Sequence, residues 1–270
     1  MGSQAMQGKL WGQHPDDWAD IQEKIGRTDY DFVFSNVSIS TATKLLDVGC
    51  GTGYFSTLAS EKGANVTGLD ATPEFIEVAK KRLPNATFLV GEMEALPFDD
   101  HSFDVVCGFN SFQYAANTKN ALTEAKRVLK KDGKLITIIW GNKEDCEAAT
   151  YLKAVGSVLP PPPPGAPGPF ALSENHLLEK ILEEIGFKII TSTDVPSTWD
   201  YPDLETALKG LLSAGPVAKA VEASGFEKVY QAISDAIQPY IQKNGHVVYH
   251  NKFRVVISEN NLPPETKINF

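Results

Sequence analysis

Lys44-Leu45-Leu46-Asp47-Val48-Gly49-Cys50-Gly51-Thr52-Gly53 reads as a buried strand that stops in a tight turn. Apolar residues lead into an acid, and glycines follow at alternate positions. Glycine suits such a turn because it admits positive φ and carries no Cβ to hold a ligand off the backbone. A helix is expected from about Tyr54, so its unpaired N-terminal amides point at whatever lies over the turn. The stretch predicts a nucleoside-like ligand at the end of the first strand.

The pattern downstream alternates. Phe55 to Lys62 reads as helix and Asn65 to Asp70 as a second strand. Pro73 to Arg82 reads as a helix with Thr72 at its N-cap and proline at the first helical position, where the ring is tolerated. Thr87 to Val90 and Phe103 to Gly108 give two more strands, and Thr118 to Leu129 a helix with Leu122, Ala125, Val128 and Leu129 at helical spacing. Lys131-Asp132-Gly133 then turns the chain into a fifth strand, Leu135 to Trp140. Strands alternating with helices imply an α/β fold with a parallel sheet and right-handed crossovers.

The second half loses that rhythm. Pro160 to Pro164, with Pro167 and Pro169, reads as a stiff extended connection. Ser173 is placed as the cap of a helix that ends at Gly186, followed by a strand from Phe187 to Val195. Helices are expected over Pro202 to Ser213 and Val217 to Gln242, and a last strand over Val247 to Ser258.

Composition narrows the partners. Lys and Arg number 25 against 34 Asp and Glu, for a net charge of −9 in 270 residues. Nucleic acid is disfavoured, because phosphate binding relies on clustered cations. No apolar run approaches the roughly 20 residues of a membrane span, and no signal-peptide pattern opens the sequence. Met1 to Met6 reads as an expression remnant ahead of a second start. Cys50, Cys107 and Cys146 lie too far apart for a disulfide framework or a zinc site, and no metal is expected. Cytoplasm is the default location.

A nicotinamide-binding turn reads G-x-G-x-x-G, but here the glycines stand at 49, 51 and 53, and Ser56 takes that pattern's third position. The spacing, with Asp47 ahead of it, resembles motif I of the class I S-adenosylmethionine-dependent methyltransferases, D-x-G-x-G-x-G. Asp70 ends the second strand, where a carboxylate can accept from both hydroxyls of a ribose; NAD is served almost equally well by such an acid. Gly91-Glu92-Met93-Glu94-Ala95-Leu96-Pro97-Phe98 resembles the family's G-D-A-E-x-L-P-F element, with Glu92 in place of the more frequent Asp. Asp99 to Asp104 continues the likeness. Trp11 to Glu23 looks like the leader helix of small-molecule methyltransferases of the ubiquinone/menaquinone-biosynthesis type, and residues 164–173 are similar to that group. The strong motifs cover Leu45 to about Trp140.

The resemblance implies a Rossmann-like, seven-stranded, mostly parallel sheet with an antiparallel last strand. Helices would cover both faces, and a helical cap would be inserted before the last strand. It divides the chain into a leader or lid (1–40), a core (41–200 and 246–260) and substrate-enclosing segments (141–170 and 200–245). It implies S-adenosylmethionine as cofactor, S-adenosylhomocysteine as product and a small organic methyl acceptor. The cofactor-binding candidates are Trp11, Asp47, Gly49, Cys50, Gly51, Asp70, Ala71, Glu92, Met93, Asn110 and Ser111. Glu92 and Met93 would hold the adenine edge, and Asn110 and Ser111 the floor beneath the methionine part. Cys50 is a filler of the turn rather than a nucleophile.

Candidates for the acceptor side are Trp18, Phe112, Tyr114, Trp140 and Trp199, with Gln22 as a further lid residue. Trp18 also shares a helical face with Ile21 and Ile25, as ordinary packing would have it, and Asn110 is also a plausible helix cap. His14, His246, His250 and Tyr114 are candidate bases, none of them singled out; His101 and His176 read as surface residues. Two other functions stay open: a nicotinamide oxidoreductase, and a cofactor-binding protein without turnover.

Overall fold

The structure is a computed structural model that describes residues 2–161 and 167–261. Pro162 to Ala166, the middle of the proline-rich connection, lie outside the described residues.

One sheet of seven strands organises the chain: β1 (Lys44–Val48), β2 (Asn65–Asp70), β3 (Thr87–Val90), β4 (Phe103–Phe109), β5 (Leu129–Trp140), β6 (Phe187–Tyr201) and β7 (Val247–Asn260). Their order is β3-β2-β1-β4-β5-β7-β6. The first five pair in parallel, whereas β7 runs antiparallel to both β5 and β6. The expected antiparallel last strand is therefore present, inserted between β5 and β6. Successive side chains of a strand face opposite sides, and the two cores follow that alternation. Leu45, Val105 and Cys107 face one layer with Val33, Phe55 and Ala59, while Leu46, Val48 and Val106 face the other with Leu122, Ala125 and Leu178.

The helices are α1 (Gln4–Trp11), α2 (Pro15–Asp20), α3 (Thr28–Asn36), α4 (Tyr54–Glu61), α5 (Pro73–Arg82), α6 (Thr118–Val128), α7 (Ala149–Ser157), α8 (Leu177–Glu184), α9 (Leu204–Leu212), α10 (Gly215–Ser224) and α11 (Phe226–Ile237). The leader is thus not one helix from Trp11 to Glu23. It breaks between α1 and α2 ahead of Pro15, and a 3-10 turn at Gln22–Lys24 follows. Trp18 and Ile25 consequently do not share a helix. Nor are the first residues a bystander: Ser3 is buried, and the Gln4 amide donates to Glu92 Oε2 at 2.8 Å.

Four further expectations are corrected. β5 begins at Leu129 and carries Lys131-Asp132-Gly133 within it, with Asp132 at φ 61. β6 continues through Pro196 to Tyr201, because it is an edge strand paired only with β7 and proline is tolerated there. The helix expected over Val217 to Gln242 is two, broken at Gly225 (φ 83). Ser173 stands at the N-cap of a 3-10 turn (Glu174–His176) rather than of α8 and makes no side-chain capping bond; its hydroxyl donates to the Trp140 carbonyl, and α8 starts four residues later. Thr72 holds the N-cap position of α5 without a side-chain capping bond.

The far edge of the sheet is tied by one buried cation. Arg254 of β7, 5% exposed, pairs with Asp194 through Nε and Nη2 at 2.8 and 3.1 Å. Its Nη1 donates to the Ser173 carbonyl and its Nη2 also to Asn142 Oδ1. Both ends of the long β5–α8 connection are thereby pinned to β7. Arg254→Met is expected to cost about 3 kcal/mol, the scale for breaking a buried pair by removing one partner. Urea unfolding measures this, and a loss under about 1 kcal/mol would show that the pair is dispensable.

Candidate functional site

A cavity of about 630 Å³ opens at the carboxyl ends of the parallel strands, where open α/β sheets place ligands. Its floor is the glycine turn. Gly49 and Gly51 have φ of 73° and 55° and line the cavity. A Cβ at Gly49 would stand 2.4 Å from Ser111 Cβ, and one at Gly51 2.9 Å from Glu23 Oε1. Both positions are closed to larger residues, in conformation as well as in space.

Asp70 fixes the turn to the end of β2. Its Oδ2 accepts the Gly51 amide at 2.9 Å and its Oδ1 the Thr72 amide at 2.8 Å. Burial pushes this carboxyl up to about 6, against the pull of those two amides. The Thr52 amide is not free for a ligand, contrary to the expectation for a helix N-terminus. Glu23 of the leader takes it at 2.8 Å, also accepts the Thr52 hydroxyl, and pairs with Arg82 of α5 at 2.6 Å. Burial raises the Glu23 carboxyl while Thr52 and Arg82 oppose the rise. Arg82 also donates to the Thr52 and Ala19 carbonyls, at 2.9 and 3.3 Å. Leader, turn and α5 are thereby locked together.

The donor left without a partner beside the turn is the buried Trp18 Nε1, 3.5 Å from where a Gly51 Cβ would stand. Trp18 packs edge-on to Trp11 (4.9 Å between centroids) and stacks on Phe75 (6.0 Å), and Trp11 in turn meets Tyr114 edge-on at 5.3 Å. This aromatic group roofs the cavity. α1 lies against the end of β2 through Gly8, where a Cβ would be 2.3 Å from the Ala71 carbonyl oxygen.

Most residues singled out in the sequence meet here. Trp11, Gly49, Gly51, Asp70, Ala71, Glu92, Met93, Asn110, Ser111, Trp18, Gln22, Tyr114, Trp140 and Trp199 all line the cavity. Three side chains do not. Asp47 is buried behind the turn, accepting from the Ser56 hydroxyl at 2.7 Å, and burial pushes it up to about 7. Cys50 is buried toward Gly68, Ile76 and Phe88. Phe112, 1% exposed, packs on the face where a Gly108 Cβ would be, 2.3 Å from its ring, and belongs to the core. Nor do the histidines reach the cavity. His246 Nδ1 pairs with Asp200 at 2.7 Å, His250 lies near Thr198 and His101 binds the Leu129 carbonyl.

Other lining residues carry no sequence signal. Ser3 stands just ahead of α1 and Gln7 within it; Phe75 comes from α5, Gln113 from the 3-10 turn after β4, and Tyr151, Leu152 and Val155 from α7. Leu211 comes from α9, Pro216 from α10 and Phe253 from β7. Of these, Gln113 alone lay next to residues the motifs had marked.

Comparison with known proteins bears on the same region. Residues 46–137 match the family model described as a methyltransferase domain. The chain is 37% identical over 97 residues to a demethylmenaquinone methyltransferase of Thermotoga maritima, a match spanning 35% of this chain and 42% of that protein. It is 28% identical over 209 residues to a malonyl-[acyl-carrier protein] O-methyltransferase of Erwinia pyrifoliae, spanning 77% and 72%. Against the Thermotoga protein, the chain therefore covers less than half of its relative's length. In fold it is similar to a solved putative methyltransferase of Bacillus halodurans, with TM-score 0.59, 16% identity, and 87% and 99% of the two chains covered. The match to a methyltransferase domain thus falls on residues 46–137, the stretch that carries the glycine turn, Asp70 and Glu92 at the cavity.

Proposed function

We propose that the chain transfers the methyl group of S-adenosylmethionine to a small organic acceptor held in the same cavity. The observation that carries this reading is the Asp70 carboxylate beside two backbone-lining glycines, with Glu92 and Met93 one strand further on. Asp70 keeps lone pairs beyond those used by the two amides, so it can accept from ribose hydroxyls. Met93 offers an apolar contact for a purine and Glu92 a polar one. Trp18 Nε1 offers its unused donor to a carboxylate above Gly51, and Asn110 and Ser111 complete the floor.

Charge favours this cofactor over a dinucleotide. Among the described lining residues, Asp70 and Glu92 are the charged ones, and none is basic. S-adenosylmethionine carries a sulfonium and an ammonium against one carboxylate, so two acids suit it. A diphosphate needs amide or cationic donors, and the Gly51 and Thr52 amides are already committed to Asp70 and Glu23. Ser56 also fills the place of a dinucleotide fold's third glycine, with its hydroxyl on Asp47.

The cofactor, when bound, supplies an activated methyl group open to in-line attack. The chain's contribution is orientation and exclusion of water. The leader does the excluding, since Trp11 and Trp18 stand over the turn and are latched there through Glu23. The segments 141–170 and 200–245 enclose the acceptor on this reading, as Tyr151, Trp199, Leu211 and Pro216 all face the cavity. Among the described residues, no helix is long and apolar enough to cross a membrane.

Asp70→Asn tests the placement of the ribose. The variant keeps one acceptor for the turn and loses the charge, so S-adenosylhomocysteine should bind roughly 10- to 100-fold more weakly by calorimetry. Circular dichroism checks that the variant is folded; affinity unchanged in a folded variant would sink the placement.

The same group sets a pH dependence. Hydroxyl donors favour the ionised carboxyl, so affinity should be level above about pH 7 and fall as pH drops through about 6. With that midpoint, affinity at pH 5 should be roughly tenfold below that at pH 7. Asp70→Asn should flatten the profile; a variant that keeps the same slope would assign it to another group.

A further inference from the structure

The backbone amides of the glycine turn, residues 49–53, are all bonded within the chain. Gly49 and Cys50 donate to the Leu69 carbonyl at 2.7 and 3.1 Å, and Gly53 to the Cys50 carbonyl at 2.9 Å. The Gly51 and Thr52 amides go to Asp70 and Glu23. No basic side chain stands among the described lining residues. A carboxylate resting over the turn must therefore take its hydrogen bonds from neutral side chains. Two such donors lie in the stretch of leader that meets the turn. Trp18 Nε1 is buried and unpartnered, and Gln22, which also lines the cavity, directly precedes the Glu23 that grips Thr52.

Gln22 is held from a distant part of the chain. β7 runs antiparallel to both β5 and β6, so β6 runs in the same sense as β5 and its last residue, Tyr201, arrives on the ligand side of the sheet. Tyr201 is fully buried and does not itself line the cavity. Its hydroxyl donates to Gln22 Oε1 at 2.8 Å. Burial raises this phenol far above its ordinary value while the bond to Gln22 opposes the rise, so the group keeps its proton and stays a donor at neutral pH. Gly210 of α9 makes room for the pair, since a Cβ there would stand 3.0 Å from Gln22 Oε1 and 3.1 Å from Tyr201 Cε1. A glycine inside a helix is unfavourable in itself, and close approach of this pair is what it provides. A carboxamide has one acceptor head and one donor head. With the oxygen fixed on Tyr201, the nitrogen is left over, and among the described residues it has no protein acceptor.

We infer that Tyr201 is a positioning residue for the cofactor: it turns Gln22 so that Nε2 joins Trp18 Nε1 in a two-donor cradle for the carboxylate of S-adenosylmethionine. The inference rests on the methyl-transfer reading above. Hydrogen bonds to an ionised carboxylate are about twice as strong as neutral ones, so two neutral donors can stand in for a cation that the lining lacks. Without the Tyr201 hydroxyl, the Gln22 amide is free to turn over and present its oxygen to the carboxylate instead. The end of the edge strand thereby sets how firmly the amino-acid end is held, with no contact of its own.

Calorimetry with two probes isolates this subsite: S-adenosylhomocysteine, and S-adenosyl-3-thiopropylamine, which keeps the nucleoside, the thioether and the ammonium but has no carboxylate. The unaltered protein should bind S-adenosylhomocysteine roughly tenfold or more tightly than the thiopropylamine. Tyr201→Phe, which removes one oxygen and keeps the ring in its packing, should weaken S-adenosylhomocysteine roughly five- to tenfold and leave the thiopropylamine within about twofold. The second result also reports a folded cavity. Gln22→Leu should do the same at least as strongly, and adding Tyr201→Phe to it should cost nothing further, since Tyr201 acts through Gln22. Equal binding of the two probes by the unaltered protein, a Tyr201→Phe loss shared by both probes, no loss at all, or losses that add in the double variant would each overturn the inference. The probe comparison on the unaltered protein stands whatever the variants do. Failure of S-adenosylhomocysteine itself to bind the unaltered protein would overturn the underlying reading, and this inference with it.

Discussion

Two backbone amides, of Gly51 and Thr72, converge on the carboxylate of Asp70. That junction joins the turn after β1 to the end of β2 and sets the height of the floor on which a ligand would rest. It is bought at the expense of burying a charge, and the rise of the Asp70 carboxyl to about 6 records that expense. The neighbouring acids make the position harder still, since Glu23 and Asp47 are also buried close by and both are raised by burial. Arg82 relieves Glu23 from one side. A cationic ligand over the turn would relieve the rest, so the polarity of the site and the charge of the proposed cofactor point the same way.

The leader completes the site rather than decorating it. Glu23 satisfies the Thr52 amide, Trp18 brings an unpaired N–H above Gly51, and Trp11 wedges between Gly215 of α10 and Tyr114. The cavity is thus closed by chain segments from both ends of the sequence over a sheet built mostly from its middle. The Gln4 amide also sits on the Glu92 carboxylate, so the start of the leader reaches the cavity wall.

The core of the fold was legible because buried parallel strands and their crossover helices leave strong local patterns. β2, β3 and α5 stand at the residues read from the sequence alone. The misreadings fall where tertiary context overrode local chemistry. Pro196 ended a strand on paper, but on the sheet edge its missing N–H faces no partner. Ser173 looked like a cap, yet its hydroxyl was claimed by the Trp140 carbonyl. The site divides in the same way. Gly49, Gly51, Asp70, Glu92 and Met93 sit in motifs and could be found, whereas the directions of Asp47, Cys50 and Phe112 depend on which face of the sheet or turn each side chain takes. Tyr151, Leu211 and Phe253 were beyond reach, because distant elements bring them together and no motif marks them.

The most direct test of the central claim is a crystal structure of the chain with S-adenosylhomocysteine. The account predicts ribose hydroxyls on the Asp70 carboxylate, the amino-acid end over Gly49 and Gly51 within reach of Trp18 Nε1, and adenine beside Glu92 and Met93. A ligand ordered elsewhere in the cavity, with Asp70 still bound only to its two amides, would contradict it.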